Sequence, residues 1–438
     1  MMHIRHFRQM PILMLFVLCI GIFTVEAQSK GTGRPVIVAH INNQPIMPPV
    51  RDYLVRALAR AQKENAECLL VEIDTPGGLG ESMRDISRVF LESKVPVVVY
   101  VTPSTARAAS AGAIIALAAN IIAMAPGSNI GAAHPVTGAG DNIPTDMRDK
   151  VTNDSAALAR NIAEKRARDP KLAEDFVRKS ISLTATEASR AHLADILATN
   201  RTDLFRQLEG RTVMTASGTR IMHTAGAPVI EEPLNQLEDF LLFLFNPNIA
   251  LILGAIAFYG LVAEATTPGA ILPGVTGSIA LILSLYSMTA LSVNAAGGAL
   301  LILAFTLFVV DVVATTHGVL TVGGIIAFVF GSLMLFNGSP TGMQVSLSVI
   351  LTLAGVTSLF TLGIVGAAIR TRRRAAGSGP ETLIGQVGEA RSDLNPGGDV
   401  FVDGALWSAI NDGVDSVSKG DSVQVISRKG LKIRVKKA

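Results

Sequence analysis

Three features of this 438-residue chain are of types and spacings that do chemistry. The first is Gly77-Gly78, in the turn Asp74-Thr75-Pro76-Gly77-Gly78 that follows the run Cys68–Ile73. Paired glycines at a strand end let the backbone approach a ligand and leave N–H groups free to point outward. The second is Ser110, inside Ala106-Arg107-Ala108-Ala109-Ser110-Ala111-Gly112-Ala113. Small neighbours open a path to the hydroxyl. A helix starting there aims N–H groups and positive potential at a developing oxyanion. The third is a lysine. To act as general base for a serine it must be neutral. An ordinary lysine pKa is near 10.4, so work at pH 7 requires lowering it by roughly three, about 4 kcal/mol. Burial among apolar groups can supply that. Lys150 follows a loop over 134–149 rich in Gly, Pro and Asp and is expected at the head of a helix. Lys94 sits in a loop before Pro96, and Lys165 lies in the charged stretch Glu164–Arg168. Both are expected to be solvated, but the residues alone do not choose Lys150 over Lys165. No CxxC, HExxH or GxxxxGK[ST] is present, so zinc-protease and P-loop chemistry lack their markers.

The elements that must position these residues alternate. Strands are expected at Val36–Ile41, Cys68–Ile73, Val97–Val101 and Ile121–Ala125. Helices are expected around Val50–Asn65, Leu79–Glu92, from the run Ala106–Ala113 to Ala119, from Lys150 onward, and after the capping-box pattern Thr184-Ala185-Thr186-Glu187. Continuous apolar strands between helices predict an α/β domain with a mostly parallel sheet covered on both faces.

The chain has 38 Lys and Arg and 35 Asp and Glu, yet between Leu241 and Ile369 only Glu264 and Asp311 are charged. That stretch resolves into five apolar spans, 248–264, 271–290, 297–315, 319–336 and 345–369, near the ~20 residues a bilayer requires. Five spans that start outside end inside, and Arg370, Arg372, Arg373 and Arg374 follow the last one, in line with the positive-inside rule. Glu264 and Asp311 fall near span ends and are read as interface positions rather than as a proton path. With no chain of acids across the membrane, a transporter is disfavoured. Residues 1–27 read as a secretory signal: a basic start, an apolar run from Pro11 to Phe23, and Val25-Glu26-Ala27 as the cleavage site. The expected order is a signal at 1–27, an exported domain at 28–235, a membrane domain at 241–369, a basic linker at 370–381, and a cytoplasmic β-barrel at 382–438. The barrel ends in a hairpin where Val423 and Val425, then Leu431, Ile433 and Val435, alternate across a turn at Lys429-Gly430. Its few aromatics, Phe401 and Trp407, and a net charge of +3 argue against nucleic acid and for a protein contact. Cys19 and Cys68 are not expected to pair.

Taken together, Asp74-Thr75-Pro76-Gly77-Gly78, Ala108-Ala109-Ser110-Ala111-Gly112, Ala125-Pro126-Gly127-Ser128-Asn129-Ile130-Gly131-Ala132 and Lys150-Val151-Thr152-Asn153 resemble the long form of the NfeD family. Those are membrane-bound serine proteases of the ClpP/crotonase superfamily. Leu183-Thr184-Ala185-Thr186-Glu187-Ala188 and Leu193-Ala194-Asp195 extend the resemblance. In the tail Gly385, Asn395-Pro396-Gly397-Gly398, Trp407-Ser408-Ala409 and Gly420-Asp421 are similar to the family's OB-like domain. The resemblance implies a ClpP/crotonase-like α/β protease domain, a helical membrane bundle and an OB-like barrel. It implies a Ser–Lys dyad of Ser110 and Lys150, an oxyanion hole from the N–H groups of Gly78 and Ala111, and no metal, ATP or other cofactor. The expected partner or substrate is a stomatin/prohibitin-type protein cut in apolar segments, at a multi-pass inner membrane, by a homo-oligomer. His192 departs from the family, which commonly has Gly in that turn. The competing reading is a non-catalytic scaffold for stomatin-type assemblies. A signal-peptide peptidase of the same superfamily fits less well with five spans and a β tail.

Overall fold

The computed structural model describes residues 33–136, 145–266, 269, 271–291, 293–314, 318–336, 343–373 and 383–438. The signal at 1–27 with Cys19, half of the expected 134–149 loop, and most of the linker lie outside them. The first part is an α/β domain. Its strands are β1 (Val36–Asn42), β2 (Cys68–Asp74), β3 (Val97–Val101), β4 (Arg107–Ala109), β5 (Ile121–Met124), β6 (Asn129–Gly131), β7 (Ser182–Thr184), β8 (Ile196–Leu197), β9 (Thr212–Thr215), β10 (Gly218–Ile221) and β11 (Val229–Glu231). Its helices are α1 (Pro48–Lys63), α2 (Gly80–Leu91), α3 (Ala111–Ala118), α4 (Thr145–Lys165), α5 (Pro170–Arg178), α6 (Ala185–Arg190) and α7 (Arg201–Leu208).

Six strands form one wholly parallel sheet in the order β11-β1-β2-β3-β5-β8. Alternate residues of each central strand feed two cores. Leu69, Val71, Val97 and Val99 pack with α1 to α4 on one face. Cys68, Leu70, Val98 and Tyr100 pack with Leu204 and Leu208 of α7 on the other. Burial on both faces is why β2 up to Val71 and β3 read as apolar runs. Cys68 is fully buried, which pushes its thiol well above the ordinary cysteine range. A second sheet, β4-β6-β7, hangs from the end of β2: Thr75 N–H donates to Arg107 O (2.8 Å) and Ala109 N–H to Thr75 O (3.1 Å). The capping box expected at Thr184 and Glu187 starts α6.

One expectation needs correction. Helix α4 begins at Thr145, with Asp146 in its positively polarised first turn, so Lys150 lies in the second turn rather than at the helix head.

A four-residue ion cluster fastens the edge strand. His40 of β1 lies 3.2 Å from Glu72 and 2.7 Å from Glu231 of β11. Arg201 grips Glu72 with two hydrogen bonds (2.8 and 3.0 Å) and reaches Glu231 at 2.7 Å. Burial pushes the Glu72 carboxyl up, but hydrogen bonds from His40 and Arg201 outweigh it and hold it at about 2. Hydrogen bonding to Glu72 raises His40, against burial. Glu72 therefore contributes stability above about pH 4.5, lost as pH falls toward 2, on the order of 2 kcal/mol. The His40 contribution is present below about 6.5 and lost as pH rises through its raised folded value. Thermal unfolding of the domain is expected to be most resistant between about pH 5 and 6.5. His40→Gln should flatten the alkaline limb and also shift the acid limb, because His40 helps lower Glu72; an unchanged alkaline limb would show that His40 carries no such linkage.

After α8 (Gln236–Leu244) come five apolar helices: α9 (Pro247–Thr266), α10 (Ile271–Ala290), α11 (Ala295–Ala314), α12 (Val319–Leu335) and α13 (Leu347–Arg373). They overlap the five apolar stretches of the sequence, and α13 runs on through Arg370, Arg372 and Arg373. Helices α9 and α10 have 20 residues each, about 30 Å of helix, enough to cross a hydrocarbon core. They pack through small residues: a Cβ on Gly260 would lie 2.8 Å from Gly277 Cα. Glu264 and Asp311 lie near the C-terminal ends of α9 and α11, as expected. Asp311 is buried and accepts from the Thr321 hydroxyl and, at 3.3 Å, from Gly318 N–H.

The tail is a closed barrel of β12 (Val387–Ala390), β13 (Gly397–Val402), β14 (Ala405–Asn411), β15 (Ser422–Lys429) and β16 (Lys432–Lys437), in the order β12-β13-β14-β16-β15. Val423, Val425, Ile433 and Val435 are fully or almost fully buried. Leu431 does not join them; it sits in the turn and is exposed. The Arg428 guanidinium covers the Trp407 ring at 4.9 Å. The layers are the expected ones: a parallel α/β domain, a helical segment and a small all-β barrel.

Candidate active site

Ser110 sits between β4 and α3 with φ 53° and ψ −116°, a region that favours glycine. Such strain costs about 1–3 kcal/mol and persists only where surroundings enforce it. Here they do. The Ser110 N–H donates to Gly131 O (2.9 Å), and its carbonyl accepts from Ala113 N–H (3.0 Å). The backbone is held at both groups, while the side chain makes no capping bond to α3. The result is a hydroxyl held at a strained strand-to-helix turn, as nucleophile elbows present theirs.

The glycine turn closes against this serine. Gly77 has φ 122°, and a Cβ there would lie 2.6 Å from Ser110 Cβ. A Cβ on Gly78 would lie 2.2 Å from Ile46 O. The segment before α1 threads along the turn: Ile46 N–H donates to Gly77 O (2.7 Å) and Leu79 N–H to Ile46 O (2.8 Å). The Thr75 hydroxyl braces it by donating to Gln44 O (2.7 Å). Among the described residues, the N–H groups of Gly78 and Ala111 have no acceptor. Ala111 opens α3, so its N–H adds to the positive end of the helix dipole.

Ser110, Gly78 and Ala111 meet on the wall of a cleft of about 340 Å³. Leu79, Met83, Ile114, Ala133, Val136, Val151 and Val177 make most of the remaining lining apolar. Lys150 is not among the lining residues. It is exposed on α4, one residue before Val151. Helix α4 borders the cleft through Val151 and Ser155, four residues apart and so on one face. One turn after Lys150, Asp154 pairs with Arg84 of α2, itself a lining residue. The sequence reading did not single out Ser155 or Val151, although their helical spacing was a usable signal. It also missed Ala133 and Val177, which meet only because Ala133 N–H donates to Phe176 O (2.8 Å) and His134 Nδ1 lies 3.0 Å from Val177 O. Lys94 and Lys165 are exposed, as expected. His192 is exposed at φ 52°, a left-handed backbone conformation that glycine adopts without strain. Among the described residues no group of His, Cys, Asp and Glu is arranged to hold a metal ion.

Comparison with known proteins covers all three parts. The profile of the NfeD1b N-terminal domain matches residues 37–207, that of the NfeD integral membrane domain matches 248–367, and that of the NfeD-like C-terminal, partner-binding domain matches 380–437. The chain is 32% identical over 410 residues to the membrane-bound protease PH1510 of Pyrococcus horikoshii, covering 91% of this chain and 92% of that one. It is 28% identical over 449 residues to the membrane protein NfeD1b of Bacillus subtilis, covering both chains in full. Among solved structures it is similar to the 1510-N membrane protease specific for a stomatin homolog from Pyrococcus horikoshii, at 28% identity and a TM-score of 0.42, covering 48% of this chain and 98% of that one. With matching N-terminal, membrane and C-terminal domains in the same order, and with a relative of this identity along nearly its whole length, the chain belongs to the long-form NfeD family.

Proposed function

We propose that this chain is a membrane-anchored serine endopeptidase working through an acyl-enzyme. The observation that carries the reading is the strained Ser110 on an apolar cleft, beside the N–H groups of Gly78 and Ala111, which have no acceptor among the described residues. Ser110 Oγ attacks the scissile carbonyl. The N–H groups of Gly78 and Ala111 receive the oxyanion, and Lys150 takes the serine proton and returns it to the leaving amine. Water then hydrolyses the acyl-enzyme. Lys150 is exposed in the free protein, so the dyad assembles when a substrate fills the cleft and covers α4. The apolar lining suits apolar segments. One relative is named as a membrane-bound protease and another as specific for a stomatin homolog, which supports a stomatin-type membrane protein as substrate. An odd number of spans between them, followed by Arg370, Arg372 and Arg373, supports an exported α/β domain and a cytoplasmic barrel. The barrel, matched by a partner-binding domain, is the site for a protein contact.

The exposure of Lys150 also favours a second reading, a non-catalytic scaffold for stomatin-type assemblies. The test uses full-length protein in detergent with internally quenched peptides graded from apolar to charged. Wild type is expected to cut the apolar members, and Lys150→Ala to lose about 10³-fold or more. An inert wild type that remains folded, in detergent and with a stomatin-type partner added, would favour the scaffold. Full activity in Lys150→Ala would remove Lys150 from the mechanism.

A further inference from the structure

Helix α8 has two faces with different fates. On one, Glu238 is almost fully buried and takes two hydrogen bonds from Arg56 of α1 (2.9 and 2.6 Å). Just upstream, buried Glu232 pairs with Arg56 and Arg60, and its carbonyl accepts from the Tyr53 hydroxyl at 2.6 Å. This face clamps α8 to the α/β domain. The other face carries Leu237, Phe240 and Phe243, spaced three apart and exposed at 64%, 47% and 58%. Three large apolar side chains on one stripe of a nine-residue helix are a poor surface for water.

The end of α8 is tied to the membrane domain. The Ser287 hydroxyl of α10 donates to Leu244 O (2.5 Å), and Phe245 packs on Tyr286 with ring centroids 5.6 Å apart. Ser287 lies three residues from the end of α10, about 4–5 Å along the helix axis. That depth falls at the boundary between headgroups and acyl chains, where interfacial helices bury their apolar face about 5–10 Å.

We infer that α8 is a membrane-surface helix whose Leu237, Phe240 and Phe243 enter the lipid boundary. Continuity with α9 and α10 identifies lipid as the occupant of this face. Because the opposite face is clamped to α1, the α/β domain is held at a set height and orientation above the bilayer. Resting on the protease reading above, this restricts cleavage to segments close to the membrane surface.

The experiment reads lipid contact and is independent of catalysis, so it can fail or succeed whether or not the protein is a protease. Full-length Trp407→Phe protein, which lacks the single native tryptophan, is placed in phosphatidylcholine nanodiscs and receives one new tryptophan at a time. Phe240→Trp and Phe243→Trp are the tests. Leu285→Trp on the exposed side of α10 is the lipid reference, and Met214→Trp on β9 is the water reference. Phosphatidylcholine brominated near the carbonyl end of its acyl chains is expected to quench both test tryptophans by roughly half or more of the reference quenching, with little quenching by aqueous acrylamide. Strong acrylamide quenching without lipid quenching would place the face in water and overturn the inference. Protection from both quenchers would mean that protein, such as a second copy of the chain, covers the face, and would overturn it equally. The two test positions are exposed and independent, so failure of one variant to fold leaves the other to decide.

Discussion

Ser110→Ala is expected to lower peptide hydrolysis by about 10⁴-fold or more while the α/β domain keeps its fold. Both halves follow from one geometry. The Ser110 backbone is held by Gly131 O and by the first turn of α3, not by its hydroxyl, so removing Oγ takes away the nucleophile and nothing structural. Ser110→Gly separates chemistry from strain. It should be equally inactive but more stable by about 1 kcal/mol. Glycine relieves the positive φ, and its extra freedom in the unfolded chain offsets part of the gain. Hydrolysis rates and thermal midpoints of the two variants decide the matter. Residual cleavage near the wild-type rate would remove Ser110 from the mechanism. A glycine variant no more stable than the alanine variant would mean that the turn stores no strain.

The second large effect is at Arg168, far in sequence from the serine. Its side chain is buried and donates to Leu117 O (3.0 Å), Ala119 O (2.9 Å), Asn120 O (3.3 Å) and Asp195 (3.0 Å). Arg166 adds bonds to Ala118 O and Phe90 O, both 2.8 Å. Burial lowers both guanidinium pKa values, that of Arg166 to about 10, and the Asp195 carboxylate opposes the fall at Arg168. Two cations thus cap the C-terminal end of α3, the helix whose other end carries Ala111, and they complement its dipole. Arg168→Met leaves three carbonyls and a carboxylate without this partner. It should destabilise the α/β domain by about 3–5 kcal/mol. Arg168→Lys should not rescue it, because one ammonium cannot replace a fork that serves four acceptors. Thermal unfolding gives the loss, and amide exchange over residues 111–118 reports whether α3 loosens first. A loss below about 1 kcal/mol would mean that water satisfies these groups in place of the guanidinium.

What the sequence by itself determined is whatever local periodicity and length encode. The five apolar helices follow from runs long enough to cross a bilayer with almost no charge in them. The central strands were readable because burial on both faces leaves no polar residue in β2 up to Val71, nor in β3 apart from Tyr100. The Thr184 and Glu187 capping box and the barrel hairpin are local hydrogen-bonding and alternation patterns, and both formed where expected. Gly77, Gly78, Ser110 and Ala111 were legible as types that permit close approach; Gly78, Ser110 and Ala111 meet on one cleft, and Gly77 closes against Ser110.

The tertiary structure decided what depends on distant partners. Strands β4, β6 and β7 have three residues each, too short for a period to show, yet β4 and β6 set the backbone of Ser110. Arg166 and Arg168 stand in a stretch that reads as a solvated charge run. Arg168 is buried and Arg166 half-buried because the end of α3 presents carbonyls that their guanidinium forks satisfy. Lys150 matches its motif but stands exposed, because α4 turns Val151 and Ser155 to the cleft and starts earlier than its loop-like residues suggest. Helix α8 carries no signal of its double role, since the arginines that bury Glu238 and Glu232 lie about 180 residues upstream, and only the folded chain brings them together.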